Sequence, residues 1–270
     1  MPLERRDEGY ALEVTDCSII CGNSYAHRRG YPVTHLKLLP VASPVRFRFG
    51  FGLYFSEMVN QENIILIDKP AGLTSFQVVE KIKKGLGVKA GHTGTLDPSA
   101  TGLLIILTGK RTKEAAAFLH MDKTYEVKAI LGIETDSFDS EGKILARCGS
   151  NVSRQELETA LNDFRGKIWQ VPPSFSAKKI AGRKAYHLAR KGIQVDMPPR
   201  EVTTYSLELK DFCFPFFTLT CEVSSGFYVR SLIHDIGKKL ATGACVQEVR
   251  RTHIGQYRVE QALKLEDILL

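Results

Sequence analysis

Five apolar residues in a row, Leu103, Leu104, Ile105, Ile106 and Leu107, follow a loop made mostly of small residues and glycines. A short, unbroken apolar run bounded by turn-forming residues reads as a buried strand. The loop before it, residues 91–100, carries one carboxylate, Asp97. Glycines at 91, 94 and 102 let backbone approach a ligand closely, and Pro98 fixes the chain just after the acid. A carboxylate on a rigid elbow ahead of a core strand suits a nucleophile or a general base. The plainer reading of the same residues is a turn in which Asp97 caps its own backbone.

The elements around this strand alternate without regular βαβ spacing. Ile64-Ile65-Leu66-Ile67 is a first strand. Thr74-Ser75-Phe76-Gln77 fits a capping box, and Val78, Val79, Ile82 and Leu86 continue it as an amphipathic helix ending near Gly87. Residues 112–121 read as a second short helix. Ser153-Arg154-Gln155-Glu156 opens another helix, and residues 229–240 form one closed by Gly243. Tyr125, Val127, Ala129 and Leu131 alternate with mostly polar neighbours, and residues 217–223 alternate strictly, as half-buried strands do. An α+β domain with a mixed or mainly antiparallel sheet follows. Residues 1–57 show no sustained period, and Met58 stands just before the first patterned strand. We therefore expect an extension or a misassigned start over 1–57 and a domain over 58–270.

Charge and cysteine usage narrow the function classes. The net charge of +7 mildly favours a polyanionic partner. The six cysteines contain no Cys-x-x-Cys pair, and no histidine stands at zinc spacing from them, so reduced thiols in a cytoplasmic protein are expected. No apolar run approaches the roughly 20 residues that cross a bilayer. Gly109-Lys110-Arg111-Thr112 stops short of a P-loop, because position 104 is Leu and Arg111 stands where Ser or Thr is needed. Asp97 must then work without a metal. A carboxylate that stays ionised in a dry pocket needs a cation beside it, and Arg230, near the start of a helix, is the candidate. Between Ser176 and Lys191 lie six Lys or Arg in sixteen positions, readable as a helix that docks on phosphates or as a solvated basic face. Arg250 and Arg251 are candidates for further contacts to a phosphate backbone.

Residues 91–104 closely resemble the catalytic motif of the TruB family of tRNA pseudouridine synthases. Four other segments resemble that family's motifs in the same order. They are Asp68-Lys69-Pro70-Ala71-Gly72-Leu73-Thr74-Ser75, the Lys-x-Tyr motif Lys123-Thr124-Tyr125-Glu126, the substrate-binding insertion from Pro172 through Lys179 to Tyr186, and the Tyr-x-Arg motif around Tyr228 and Arg230. The resemblance spans about residues 62 to 265.

It implies the pseudouridine synthase fold, a bent, mainly antiparallel mixed sheet flanked by helices, with the insertion at about residues 172–200. It also implies isomerisation of uridine to pseudouridine in RNA, expected at uridine 55 of the tRNA T-loop, with no cofactor. By resemblance Asp97 is nucleophile or base. Tyr125 packs on the target uracil and takes part in proton transfer at its carbon 5, and Arg230 serves the same centre. His92 fills the space a flipped nucleotide leaves, and Tyr228, Lys69 and Lys179 contact substrate. The partner implied is the tRNA T-arm, bound by a monomer acting in the cytoplasm and away from membranes. Bacterial members usually add a small RNA-binding PUA domain; too few residues follow Tyr257 for one, so none is expected. Residues 131–142 look bacterial-type, which favours action without a guide RNA. The alternative is a non-catalytic RNA-binding module or tRNA folding chaperone on the same scaffold. A metal-free hydrolase is more distant, since such enzymes pair two carboxylates and the spacing pairs none with Asp97.

Overall fold

A computed structural model describes residues 63–176 and 197–268, together with the backbone of 179–180 and 183–184. The extension over 1–57 and the proposed start at Met58 lie outside the described residues. One continuous mixed sheet organises the rest. Its strands are β1 (Ile64–Lys69), β2 (Ala90–His92), β3 (Thr101–Thr108), β4 (Lys123–Leu131), β7 (Gly166–Gln170), β10 (Arg200–Cys213), β11 (Phe216–Val223), β12 (Ala244–Ile254), β13 (Tyr257–Arg258) and β14 (Leu263–Lys264). They run in the order β14-β1-β3-β12-β4-β11-β10-β7, with β2 beside β3 and β13 beside β12. The β1–β14 and β3–β12 pairs are parallel and the others antiparallel. The expected α+β architecture is therefore present.

The apolar run in β3 has a direct physical reason. Leu104 and Ile106 point to one side, where Ile67, Val78 and Ile82 cover them; Leu103, Ile105 and Leu107 point to the other, against Phe118, Ile254 and Val259. A strand clad on both faces has no polar side to alternate with. The first cover is helix α1 (Ser75–Leu86), whose Thr74–Gln77 capping box forms as expected and whose C-cap Gly87 takes the left-handed conformation at φ 64°. The second includes helix α2 (Ala115–Leu119), entered through the 3-10 turn Gly109–Glu114.

Towards the far edge, the alternating residues of β4 and β11 form a second core. Val127, Ala129, Leu131, Phe217, Leu219 and Val223 pack on helix α3 (Arg154–Leu161) and helix α4 (Val229–Lys239), through Leu157, Leu232, Ile233 and Ile236. Cys221 lies in this core, and burial pushes its thiol up to about 12. The Ser153–Glu156 capping box also forms. Helix α5 (Leu265–Ile268) follows the last strand.

Two expectations need correction. The basic stretch after Ser176 does not begin as a helix: β8 (Lys179–Ile180) pairs antiparallel with β9 (Arg183–Lys184). The sequence reading also gave no strand over 244–254, yet β12 sits at the centre of the sheet. Register shifts between Val246 and Glu248 and between Arg251 and His253 break its alternation twice, so no single period runs through it.

Helix α4 carries two perturbed neighbours of opposite sign. Burial pushes Asp235 up to about 6, with Lys238 pulling it back. Burial lowers His234, Lys238 adds to this and Glu134 opposes it. A carboxyl whose pKa is higher in the folded state holds its proton there after the unfolded chain has lost it. Its contribution is therefore most favourable below pH 4 and is lost as pH rises from about 4 to about 6. Asp235→Asn is expected to raise stability at pH 7.5 by up to about 3 kcal/mol, and to change little at pH 4. Thermal melting at the two pH values checks this; an equal shift at both would refute it.

Candidate functional site

The site is built on the loop between β2 and β3. Residues far away in sequence hold that loop almost entirely through its backbone. Ser75, buried at the start of α1, donates its hydroxyl to Leu96 O at 3.1 Å and accepts from Leu96 N at 2.9 Å. Gly72 N donates to Pro98 O at 2.9 Å. From the other side Arg251 of β12 donates to Leu103 O at 2.8 Å and to Gly94 O at 3.1 Å. The close approach requires glycine at 102: its φ is 100°, and a side chain there would overlap the backbone of Arg251.

Lys69, expected to contact substrate, does something else. It is fully buried, and its ammonium donates to Pro70 O at 2.8 Å, Leu73 O at 2.7 Å and Pro98 O at 3.1 Å. All three donors are spent on carbonyls, so none remains for a phosphate. Burial lowers its pKa to about 8, against the pull of Asp97 and with the push of Arg251. Lys69 is thus a strut beneath the residue after Asp97. Lys69→Met would leave three carbonyls without this donor, at a cost of about 2–4 kcal/mol. We expect a lower melting temperature and reduced activity, with RNA affinity of the folded protein unchanged. An intact fold with weakened RNA binding would restore Lys69 as a substrate contact.

Arg251 is likewise no RNA contact: at 1% exposure it lies inside the sheet. Arg250 is half-exposed but already grips Asp68 with two bonds, 3.1 and 2.7 Å.

Asp97 projects from the pinned loop toward the first turn of α4. Its Oδ2 lies 2.9 Å from Nε of Arg230; the carboxylate side chain is 46% exposed and the arginine 9%. One face of the acid is therefore held and the other is open to a reactant. The remaining nitrogens of Arg230 are also engaged. Nη1 donates to Ser137 O at 2.9 Å and lies 3.4 Å from Asp139 Oδ2, and Nη2 donates to Phe175 O at 2.8 Å. One guanidinium thus ties together the Asp97 loop, the turn after β5 (Ile133–Thr135) and the segment leading into the insertion.

Asp139 was missed by the sequence reading. It supplies a second carboxylate at Arg230, which the spacing had not paired with Asp97. Both of its oxygens are occupied, Oδ2 facing Arg230 and Oδ1 accepting from the Ser137 hydroxyl at 2.6 Å and Glu141 N at 3.2 Å. It orients the arginine. Glu134, Asp136, Asp139 and Glu141 crowd one segment, and nothing in their spacing singles out Asp139. Its choice depends on Phe138, held at φ 65° with its ring stacked on His234 at 3.8 Å.

The aromatic candidates flank this centre. In the sheet register Lys69 faces Gly102, Gly102 faces Arg251, and Arg251 faces Tyr125, so Tyr125 stands in the same transverse row as the residues that brace the loop. It is half-buried against the second core. Tyr228 is the N-cap residue of α4, two positions before Arg230. The amide of fully buried Gln170, also missed by the sequence reading, fixes its backbone: Tyr228 N donates to Gln170 Oε1 at 3.0 Å, and Gln170 Nε2 donates to Tyr228 O at 3.3 Å. Neither tyrosine hydroxyl bonds to Asp97 or Arg230. His92 ends β2, and its Nδ1 accepts from Gly94 N at 3.3 Å. The side chain of Lys179 lies outside the described residues. Among the described residues no group of three or more His, Cys, Asp or Glu side chains is arranged to hold a metal, and no helix is long and apolar enough to cross a membrane.

Comparison with known proteins gives consistent matches. The family model for TruB family pseudouridylate synthase (N terminal domain) matches residues 81–229, and that for the tRNA pseudouridylate synthase B C-terminal domain matches 230–270. A tRNA pseudouridine synthase B of Aquifex aeolicus is 50% identical over 212 residues, covering 77% of this chain and 74% of its own. One from Fusobacterium nucleatum is 46% identical over 200 residues, covering 74% and 70%. Among solved structures, a chain of a Cbf5-Nop10-Gar1 complex matches with a TM-score of 0.62 at 31% identity over 79% of this chain; this chain spans 55% of that one.

Proposed function

Because the chain belongs to the TruB family of pseudouridylate synthases, we propose that it isomerises uridine to pseudouridine in tRNA, at uridine 55 of the T-loop. The observation that carries this reading is the half-open carboxylate of Asp97, held by a nearly buried arginine on a loop that three other segments pin in place. Electrostatic groups fixed before the substrate arrives need no reorganisation during reaction.

The chemistry balances without any added reagent. The bond from base nitrogen 1 to the ribose breaks, the uracil turns, and its carbon 5 bonds to the same ribose carbon. The proton leaving carbon 5 is matched by one gained at nitrogen 1, so the product is an isomer. Asp97 serves as nucleophile or base in that sequence. Arg230 fixes the carboxylate's direction and balances its charge, and Asp139 holds Arg230 in turn. An enzyme that works on a base inside a structured loop must take the base out of its stack. Tyr125 offers the flipped uracil an aromatic face, Tyr228 walls the pocket, and His92 takes the vacated place in the RNA. The substrate contact is the T-arm, recognised by shape and splayed loop bases, and the protein works as a monomer in the cytoplasm.

The test is incubation of the full chain with tRNA carrying tritium at carbon 5 of its uridines. Release of tritium, with pseudouridine mapped to position 55, is the expected result. Tight binding of the tRNA without release would overturn the reading.

A further inference from the structure

The arginines around the site divide into two kinds. Arg230, Arg250 and Arg251 spend their donors on carboxylates and carbonyls of the protein itself. Arg200 does not. It is half-buried, its Nε is buried without a hydrogen-bond partner, and it forms no ion pair among the described residues. The acid next to it, Glu201, is paired with Lys167 at 3.2 Å. No acceptor of the protein is thus spent on this half-buried guanidinium, whose Nη nitrogens remain donors for one that a ligand supplies.

The location of Arg200 says which ligand. It opens β10, where the chain leaves the insertion, and it pairs across the sheet with Gln170, whose amide fixes Tyr228. Its guanidinium lies flat over Gly226: Cζ and both Nη atoms occupy the place a side chain would take, and Gly226 itself has φ 76°. Gly226 precedes Tyr228 by two residues and Arg230 by four. An unengaged guanidinium is thus seated over Gly226, in the turn that leads into the N-terminal turn of α4. A guanidinium fork matches a phosphate's oxygens in two parallel bonds, which a lysine cannot reproduce.

We propose that Arg200 grips a phosphate of the RNA backbone beside the uridine that enters the site. The inference rests on the RNA-isomerase reading above. Arg200 is then a positioning residue: it sets the register of the strand so that one nucleotide meets Asp97, and it takes no part in bond making.

The test uses the full chain and a T-arm hairpin RNA, with dissociation constants measured from 50 to 200 mM KCl. Arg200→Gln is expected to weaken binding by about tenfold and to make the dependence of log Kd on log salt shallower by about one phosphate contact. Arg200→Lys should keep most of the slope. At saturating RNA the turnover of both variants should stay near that of the wild type, so the effect falls on KM. An unchanged slope in Arg200→Gln, or a loss confined to kcat, overturns the proposal. If Arg200→Gln fails to fold, phenylglyoxal labelling of Arg200 in the wild type replaces it: the hairpin should suppress labelling, and equal labelling with and without RNA overturns the proposal. Product formation by the wild type on the same RNA separates the two ideas. No product there defeats the enzyme reading, whereas product together with an unaltered variant defeats only the role of Arg200.

Discussion

Arg230→Lys is expected to slow pseudouridine formation by about 10²- to 10³-fold, the scale seen when one fixed charged contact to a reacting centre is lost. The ammonium keeps the charge but cannot reach Asp97, Asp139, Ser137 O and Phe175 O together, as the guanidinium does. Arg230→Met goes further, because it leaves Asp139, whose side chain is 15% exposed, without its counter-ion. Removing one partner of a buried pair costs about 3–5 kcal/mol, so this variant should also melt at a markedly lower temperature. The Lys variant separates alignment from folding: a normal melting curve with a collapsed rate is the expected pair of results. A Lys variant working at close to the wild-type rate would show that Arg230 merely supplies charge.

Asp97→Asn is expected to reduce product to about 10⁻⁴ of the wild-type rate or less, the size of loss that follows removal of a nucleophile or base. Its fold should survive. The carboxylate is nearly half exposed, its one ion-pair partner among the described residues is Arg230, and Arg230 retains Asp139 and two carbonyls. Stability should therefore move by no more than about 1 kcal/mol. RNA binding should persist, since a group acting in the transition state contributes little to ground-state affinity. The result also decides between classes of function. An RNA-binding module or folding chaperone would keep its activity with asparagine at 97, and an isomerase would not.

What could be read from residues alone was whatever short-range pattern encodes. The unbroken apolar run of β3, the capping boxes at Thr74 and Ser153 and the strict alternation of residues 217–223 each reflect a local physical rule, and each element formed where it was expected. A cation for Asp97 was legible for a similar reason, as the chemical need of a carboxylate in a protected loop. What was not legible depends on partners far along the chain. Lys69 looked available for substrate because nothing near it shows that the carbonyl of Pro98 will close over it. Asp139 has three acidic competitors in its segment, an ambiguity resolved by the Phe138–His234 stack. Gln170 is an ordinary glutamine until Tyr228 arrives. β12 hides because two bulges shift which side of the strand faces inward.

The central position of β12 has a consequence for how the site comes into being. The strand lies between β3 and β4, and its Arg251 bonds to Gly94 and Leu103 across 157 and 148 residues of chain. During synthesis the Asp97 loop emerges early and must wait. The strand beside β3, the Arg251 brace it carries and the Arg230 that aligns the carboxylate are all made long afterwards. The reactive acid therefore acquires its working geometry only once β12 has been made, and a chain interrupted before β12 carries the whole Asp97 motif in sequence but none of its aligned chemistry. Contacts this distant also make folding slow. A chain lacking β12 would expose the edges of β3 and β4 to each other or to other chains, so β12 both completes the site and closes the centre of the sheet against misassembly.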